Sequence, residues 1–158
     1  MPVDLSVFKS AAHYRGFQNA DWDLLAERLR EVRPSAGHMV FREKEPGDGF
    51  YFIRAGKVKI SKQVVPEGKK TPQELLLAVL TAGSLFGEMA LVDGTPRSAD
   101  AIVEESAILF YLSQEEYEKL QKEHPSTALR IQDILVSTLC SRIREANRSF
   151  ELIRYWCT

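Results

Sequence analysis

Between residues 35 and 112 the chain repeats one pattern, runs of branched and aromatic residues separated by turns marked with glycine or proline. The runs are Met39-Val40-Phe41, Phe50 to Ile53, Val58 to Val65, Glu74 to Leu80, Ala99 to Val103 and Ala107 to Leu112. The breaks are Ser35-Ala36-Gly37, Pro46-Gly47-Asp48, Ala55-Gly56, Pro66-Glu67-Gly68 and Ala82-Gly83. Such runs suit a pleated, half-buried surface, and the turn chemistry between them predicts a separate strand for each. Short strands at this spacing bury their apolar faces only against one another, which points to a barrel or jelly roll.

Helical patterns flank the strands. Asp4 to Phe17 is predicted as a short helix capped by Asp4, and Asn19-Ala20-Asp21 supplies a second helix start. Trp22, Leu25, Leu29 and Val32 follow at helical spacing, and Pro34 is expected to end that helix. Past the strands, Ser113-x-x-Glu116 has the form of a capping box. The helix it opens should stop before Pro125, with a longer one from about Ser126 toward Arg148 or beyond. On this long helix Ile131, Ile134, Leu135 and Thr138 form one face, suited to packing on the barrel. Leu129, Val136, Ile143 and Phe150, alternating with Gln132, Leu139, Ala146 and Ile153, form a second stripe of heptad spacing. Two apolar faces need two partners. The second is either another copy of the chain, giving a homodimer, or the interior of a monomer.

A length of 158 residues suits one domain with a sizeable core. The expected division is 1–125 for the N-terminal helices and barrel, and 126–158 for a C-terminal helix of the same domain serving as lid or dimer element. A net charge of −1 provides no general attraction to nucleic acid or to an acidic membrane. Met1 to Ala12 lacks the apolar core of a signal peptide, and Leu75 to Leu80 is too short to span a bilayer. Cys140 and Cys157 match no metal or redox spacing. The expectation is a cytoplasmic protein with no membrane partner.

The chemistry concentrates between Gly83 and Ala99. Gly87 allows close approach of the backbone to a ligand. Glu88 to Val92 reads as one helical turn whose first amides lack partners, an arrangement that attracts anions. Asp93-Gly94-Thr95-Pro96 turns the chain and returns Arg97 toward the same place, where its planar fork suits two phosphate oxygens. A carboxylate repels phosphate, so Glu88 is useful only if it accepts from a hydroxyl beside that phosphate, such as a ribose 2′-OH. A phosphate and a free hydroxyl on one sugar describe a nucleotide. The alternative is a plain Glu88–Arg97 ion pair across a surface loop.

Phe86-Gly87-Glu88-Met89-Ala90-Leu91 followed by Thr95-Pro96-Arg97-Ser98-Ala99 resembles the phosphate-binding cassette of the cyclic nucleotide-binding domain family. That family includes the bacterial catabolite activator and the regulatory modules of cyclic-nucleotide-dependent kinases and channels. Pro46-Gly47-Asp48 with Phe50-Tyr51-Phe52-Ile53, and Gly56-Lys57-Val58, are similar to the family's barrel turns, so the resemblance runs from about Leu24 to Arg142. It implies an α+β, mainly β fold: a double-stranded β-helix, or jelly-roll, barrel with N-terminal helices and a long C-terminal helix. It also implies a cyclic nucleotide sensor, not an enzyme, that needs no cofactor and takes cAMP or cGMP as ligand.

By this resemblance Glu88 takes the ribose 2′-OH and Arg97 the cyclic phosphate. Phe86, the amides of Gly87, Glu88, Met89 and Ala90, Ser98 and Ala99 complete the cradle. Arg142, with Ile143 and Ser141 nearby, is placed at the base, either stacking on the purine or standing as a surface charge of the helix. Ser98 does not decide between adenine and guanine, and a cyclic dinucleotide stays open. Cupin enzymes share the barrel but cluster histidines on a metal, whereas His13, His38 and His124 are scattered. No Ser-His-Asp or Cys-His grouping is recognisable. The chain stops at Thr158, so no direct DNA binding is expected, and its signal should pass through the last helix to an unidentified effector protein. The remaining alternatives are a regulator of the catabolite activator type without its own DNA-binding domain and a ligandless dimerisation module.

Overall fold

The computed structural model describes residues 3–156, with side chains through Phe150. Ile153, Cys157 and Thr158, named above, lie outside the described side chains. The first expected helix is divided. A short helix α1 (Ser6–Lys9) is followed by a 3-10 turn at Ala12–Tyr14, and Asp4 accepts from the Ser6 N–H at 3.0 Å. The break lets Phe8 and Tyr14 both turn inward and meet edge to face, with ring centroids 5.6 Å apart.

Helix α2 (Asn19–Arg28) starts with a capping box in which the Gln18 N–H donates to Asp21 at 2.7 Å. It ends sooner than the apolar spacing predicts. The backbone is extended at Leu29, and strand β1 (Arg30–Val32) pairs antiparallel with Tyr111, Phe110 and Leu109. Leu29 remains buried beside Leu25 and Trp22, so the apolar rhythm persists after the helix has stopped. Strand pairing overrides helical periodicity there.

The remaining strands are β2 (Met39–Phe41), β3 (Gly49–Val64), β4 (Gln73–Leu80), β5 (Leu85–Phe86) and β6 (Asp100–Ser113). Every pair is antiparallel, in the order β1-β6-β3-β4, with β2 added to β6 and β5 to β3. This is the jelly-roll barrel expected. Two predicted breaks, however, are bulges inside continuous strands. Phe50 to Ile53 and Val58 to Val64 belong to β3, and Ala99 to Leu112 falls almost wholly in β6. The register between them shifts at Ile53, Ala55 and Lys57, where a bulge bends the ribbon instead of reversing it. Gly56 has φ +86° there, and a Cβ would stand 2.5 Å from the Ser106 carbonyl oxygen.

Alternation along these strands separates two cores. Ile53, Val58, Phe86, Ala101, Val103 and Leu109 fill the barrel. Phe50, Phe52, Leu85, Phe110 and Leu112 face the other way and pack with the helices. Helix α3 (Glu88–Asp93) follows β5, and the helical layer is completed by α4 (Gln114–Glu123), where Ser113 accepts from the Glu116 N–H at 3.2 Å, and by α5 (Pro125–Trp156). Ile131, Ile134 and Leu135 of α5 are buried in the helix-side core with Trp22, Leu25 and Leu120, and Thr138 is half-buried. Asp21 anchors the same helix, accepting from Thr127 Oγ1 at 2.6 Å and Arg130 Nη1 at 2.9 Å. Leu129, Val136, Ile143 and Phe150 lie 59–66% exposed, so the second apolar stripe is uncovered within the chain. Among the described residues no helix is long and apolar enough to cross a membrane.

Candidate functional site

Strand β5 leads straight into helix α3 (Glu88–Asp93) through Gly87, whose φ of +83° is left-handed. A Cβ at Gly87 would sit 2.8 Å from Arg97 Nη1 and 3.2 Å from the Phe41 ring. Glycine is therefore required twice, for the backbone turn and for the approach of Arg97. Behind it Tyr51 stacks on Phe86 at 5.1 Å and 13°, and Phe41 lies 5.9 Å from Phe86, giving the turn an aromatic floor.

Arg97 is held from both ends. Its N–H donates to the Glu45 carbonyl and its own carbonyl accepts from Lys44, each at 2.8 Å, locking its backbone to the loop after β2. Its buried guanidinium donates through Nη1 to the carbonyls of Gly49 (2.8 Å) and Gly87 (2.7 Å). Nη2 pairs with Asp48 at 3.1 Å, and the group lies 4.2 Å over the Phe41 ring. Asp48, of the Pro46-Gly47-Asp48 turn, is mostly exposed. Its carbonyl accepts from the Tyr111 hydroxyl at 2.8 Å, and burial with the nearby Asp48 charge pushes that phenol up to about 12.

Glu88 does not pair with Arg97. It is fully buried at the first position of α3, and Arg142 of α5 donates to its Oε1 and to the Leu85 carbonyl. Burial pushes the Glu88 carboxyl above its ordinary range, while the Arg142 charge, and more weakly Arg97, pull it back. Two buried atoms here have no hydrogen-bond partner: the acceptor Glu88 Oε2 and the donor Arg97 Nε.

Both residues line one cavity of about 410 Å³, and the sequence-predicted residues gather around it. Phe86 through Ala90, Arg97 through Ala99, and Arg142 all contribute to its wall. Ser98 is exposed and its hydroxyl donates to Met89 Sδ at 3.6 Å, while Ala90 and Ala99 are buried. Ser141 and Ile143 are exposed and lie outside the lining. Glu145, Ala146 and Ser149 take that place, with Leu77 and Val79 of β4 opposite. Those three follow Arg142 at i+3, i+4 and i+7, one face of a helix, and this periodicity is the signal that could have found them. A cation, a helix start and a buried carboxylate around one apolar-walled space suit a ligand carrying an anion next to a hydroxyl. Among the described residues no cluster of His, Cys, Asp or Glu is placed to hold a metal ion.

Residues 31–124, more than half of the chain, match the family model described as a cyclic nucleotide-binding domain. The Cyclic AMP receptor protein of Thermus thermophilus is 29% identical over 147 residues, covering 93% of this chain and 64% of that protein. Glutaminase 1 of Bradyrhizobium diazoefficiens is 32% identical over 118 residues, 75% of this chain and 18% of that one. A solved cyclic nucleotide-binding domain from Methylobacillus flagellatus has a TM-score of 0.77 at 25% identity, covering 84% of this chain and 72% of its own. The chain thus spans less than two thirds of the length of either curated relative.

Proposed function

Because the chain belongs to the cyclic nucleotide-binding domain family, a regulatory and not a catalytic module, we propose that it is a sensor of a cyclic nucleoside monophosphate. The observation that carries this reading is the pair of unpartnered buried atoms, Glu88 Oε2 and Arg97 Nε, on two residues that line one cavity. An unsatisfied buried polar group is costly, and a ligand that satisfies both recovers that cost. A cyclic phosphate accepts from Arg97 and the amides of Gly87 to Ala90, and the adjacent 2′-OH donates to Glu88. The ligand is cAMP or cGMP, and no cofactor takes part.

Helix α5 forms one wall of the cavity, so a ligand that contacts both α3 and α5 favours one position of α5 over others. In this reading residues 126–158 act as lid and as dimer element. Two copies pair through Val136, Ile143 and Phe150, and the protein works in the cytoplasm as a non-enzymatic relay to an effector protein. Calorimetric titration with cAMP, cGMP and a cyclic dinucleotide tests the sensor. Saturable heat with a cyclic mononucleotide, and loss of roughly tenfold or more in affinity for its 2′-deoxy analogue, is the expected result. Heat from none of the three overturns the reading.

A further inference from the structure

We propose that the cleft between α3, α4 and α5 is a second ligand site, for a small neutral molecule with an apolar body and one hydrogen-bond acceptor. Its occupancy is coupled to the nucleotide cavity, and only that coupling rests on the cyclic nucleotide reading above. The cleft has a volume of about 320 Å³ and shares no lining residue with the nucleotide cavity. Leu91 and Val92 of α3 face Leu135, Val136 and Leu139 of α5 across it, and Tyr117 of α4 completes the wall.

Tyr117 carries the polar feature of this wall. It is 6% exposed, and Phe50 meets its ring edge to face from the core side, at 6.4 Å and 83°. The Tyr117 hydroxyl is buried and has no hydrogen-bond partner among the described residues. The carboxamides of Gln121 and Gln132, which also line the cleft, stand near that hydroxyl without bonding to it. These neighbours place the hydroxyl at the cleft and not in the core behind the ring. Burial pushes the phenol above its ordinary range, so the group stays protonated and can donate. A buried donor left unpaired is costly, and a ligand acceptor recovers that cost.

Charge sets the ligand class. Glu118 accepts from Gln114 Nε2 at 2.8 Å at the edge of the cleft, and among the described residues no Lys, Arg or His lines it. An anion entering here would lose its hydration and meet a carboxylate with no cation to offset it. A second cyclic nucleotide and a fatty acid are therefore excluded, and a neutral amide, ketone or ester is favoured.

Coupling follows from two shared helices. In α3, Glu88 to Ala90 line the nucleotide cavity, whereas Leu91 and Val92 line the cleft. In α5, Leu139 of the cleft stands three residues before Arg142 of the nucleotide cavity. A molecule that fixes α3 against α5 at one cavity changes the free energy of filling the other, and the effect is reciprocal.

The test titrates the whole isotope-labelled chain with 4-phenylbutanamide and with 4-phenylbutanoate, its anionic counterpart of the same shape, and follows backbone amide shifts by NMR. The amide should saturably shift Leu91, Val92, Tyr117 and Leu139, and the anion should bind about tenfold or more weakly. Tyr117→Phe should bind the amide about threefold to tenfold more weakly with no loss of melting temperature, because its hydroxyl has no protein partner. Absent shifts at the cleft overturn the site. Equal binding of the two probes, or unchanged binding by Tyr117→Phe, overturns the ligand class. Amide binding that disappears as rising protein concentration drives association would give the cleft to a second copy instead. Calorimetry with cAMP and cGMP, with and without saturating amide, then reads the coupling as a change of about fivefold or more in Kd. An unchanged Kd overturns the coupling and leaves the site, and a failure of both nucleotides to bind removes the sensor but not the shifts at the cleft.

Discussion

Arg142 of α5 donates to the fully buried carboxylate of Glu88 at the start of α3, joining the last helix to the cassette across 54 positions of sequence. The Arg142 side chain is one-third exposed, so one partner of the pair is open to solvent while the other is not. This asymmetry makes Glu88 the dependent member. Removing Arg142 leaves a buried carboxylate without its strongest compensating charge, whereas removing Glu88 leaves an arginine that water can reach.

Arg142→Ala should therefore raise the Glu88 pKa beyond its already elevated position, because burial stays and the main opposing charge goes. Carbon-detected NMR titration of the Glu88 carboxyl in both proteins measures this. Cyclic nucleotide affinity should fall by about an order of magnitude in the same variant, because a Glu88 that holds its proton accepts less well from the ligand hydroxyl. A Glu88 titration identical in the two proteins would show that the pair does not persist in solution.

Arg97 is expected to contribute more to ligand affinity than any other single residue. Truncating one partner of a buried charged pair costs about 2–5 kcal/mol, or roughly 30-fold and upward in Kd. Arg97→Ala should show such a loss, and Arg97→Lys should fall between, since it keeps the charge but not the fork. Near-native binding by the alanine variant would remove Arg97 from the site. Part of the effect will appear as lower stability, because the carbonyls of Gly49 and Gly87 lose their donor.

Asp21 gives a pH signature unrelated to ligand. Burial pushes its carboxyl up, but hydrogen bonds from Thr127 and the Gln18 N–H, with the Arg130 charge, outweigh it and hold the pKa below the ordinary value. A folded-state pKa below the unfolded value of about 3.9 stabilises the fold at higher pH, and that stabilisation is lost as pH falls through the folded pKa. Asp21→Asn should cost about 2 kcal/mol at pH 7. The gap between the thermal melts of the two proteins should begin to narrow as pH falls below about 4 and close only below the folded pKa. A gap that is constant down to pH 2 would mean that the charge plays no part.

The exposed stripe on α5 predicts self-association. Ile143 is 60% exposed, and each large apolar side chain fully buried against a second copy contributes roughly 1.5–3 kcal/mol. Ile143→Asp should convert a dimer into a folded monomer, followed by light scattering with circular dichroism as the control for folding. Wild type that is already monomeric at tens of micromolar would exclude the pairing.

Local chemistry was the legible part of this chain. Gly87, Glu88 and Arg97 lie within eleven residues, and the turn between them is written in Asp93-Gly94-Thr95-Pro96. Ser113, at the start of α4, was equally readable. What escaped the sequence depends on distant pairing. Ala55-Gly56 has the composition of a turn, and only the opposite strand at Ser106 and Ala107 makes it a bulge. Val32 continues a helical rhythm yet pairs with Leu109. The protein partners of Glu88 and Arg97 were not legible for the same reason, since Arg142 and Asp48 approach from 54 and 49 positions away. Glu145 and Ser149 needed only the helical period, once Arg142 was known to face the cavity.

The two-residue strand β5 sets a rule of length for this cassette. Leu85 belongs to the helix-side core and Phe86 to the barrel core, immediately before Gly87. Just upstream, Gly83 and Ser84 are clamped to Ile53 by backbone bonds of 2.8 Å in both directions. Nothing between the clamp and the cassette can slip by one residue without exchanging a leucine and a phenylalanine between two packed interiors. Gly94, Thr95 and Pro96, on the far side of α3, are exposed and free of that constraint. A single glycine inserted after Ser84 should unfold the protein at room temperature, whereas the same insertion after Gly94 should lower the melting point by only a few degrees. Substitution can alter the front of this cassette, but only its back can grow.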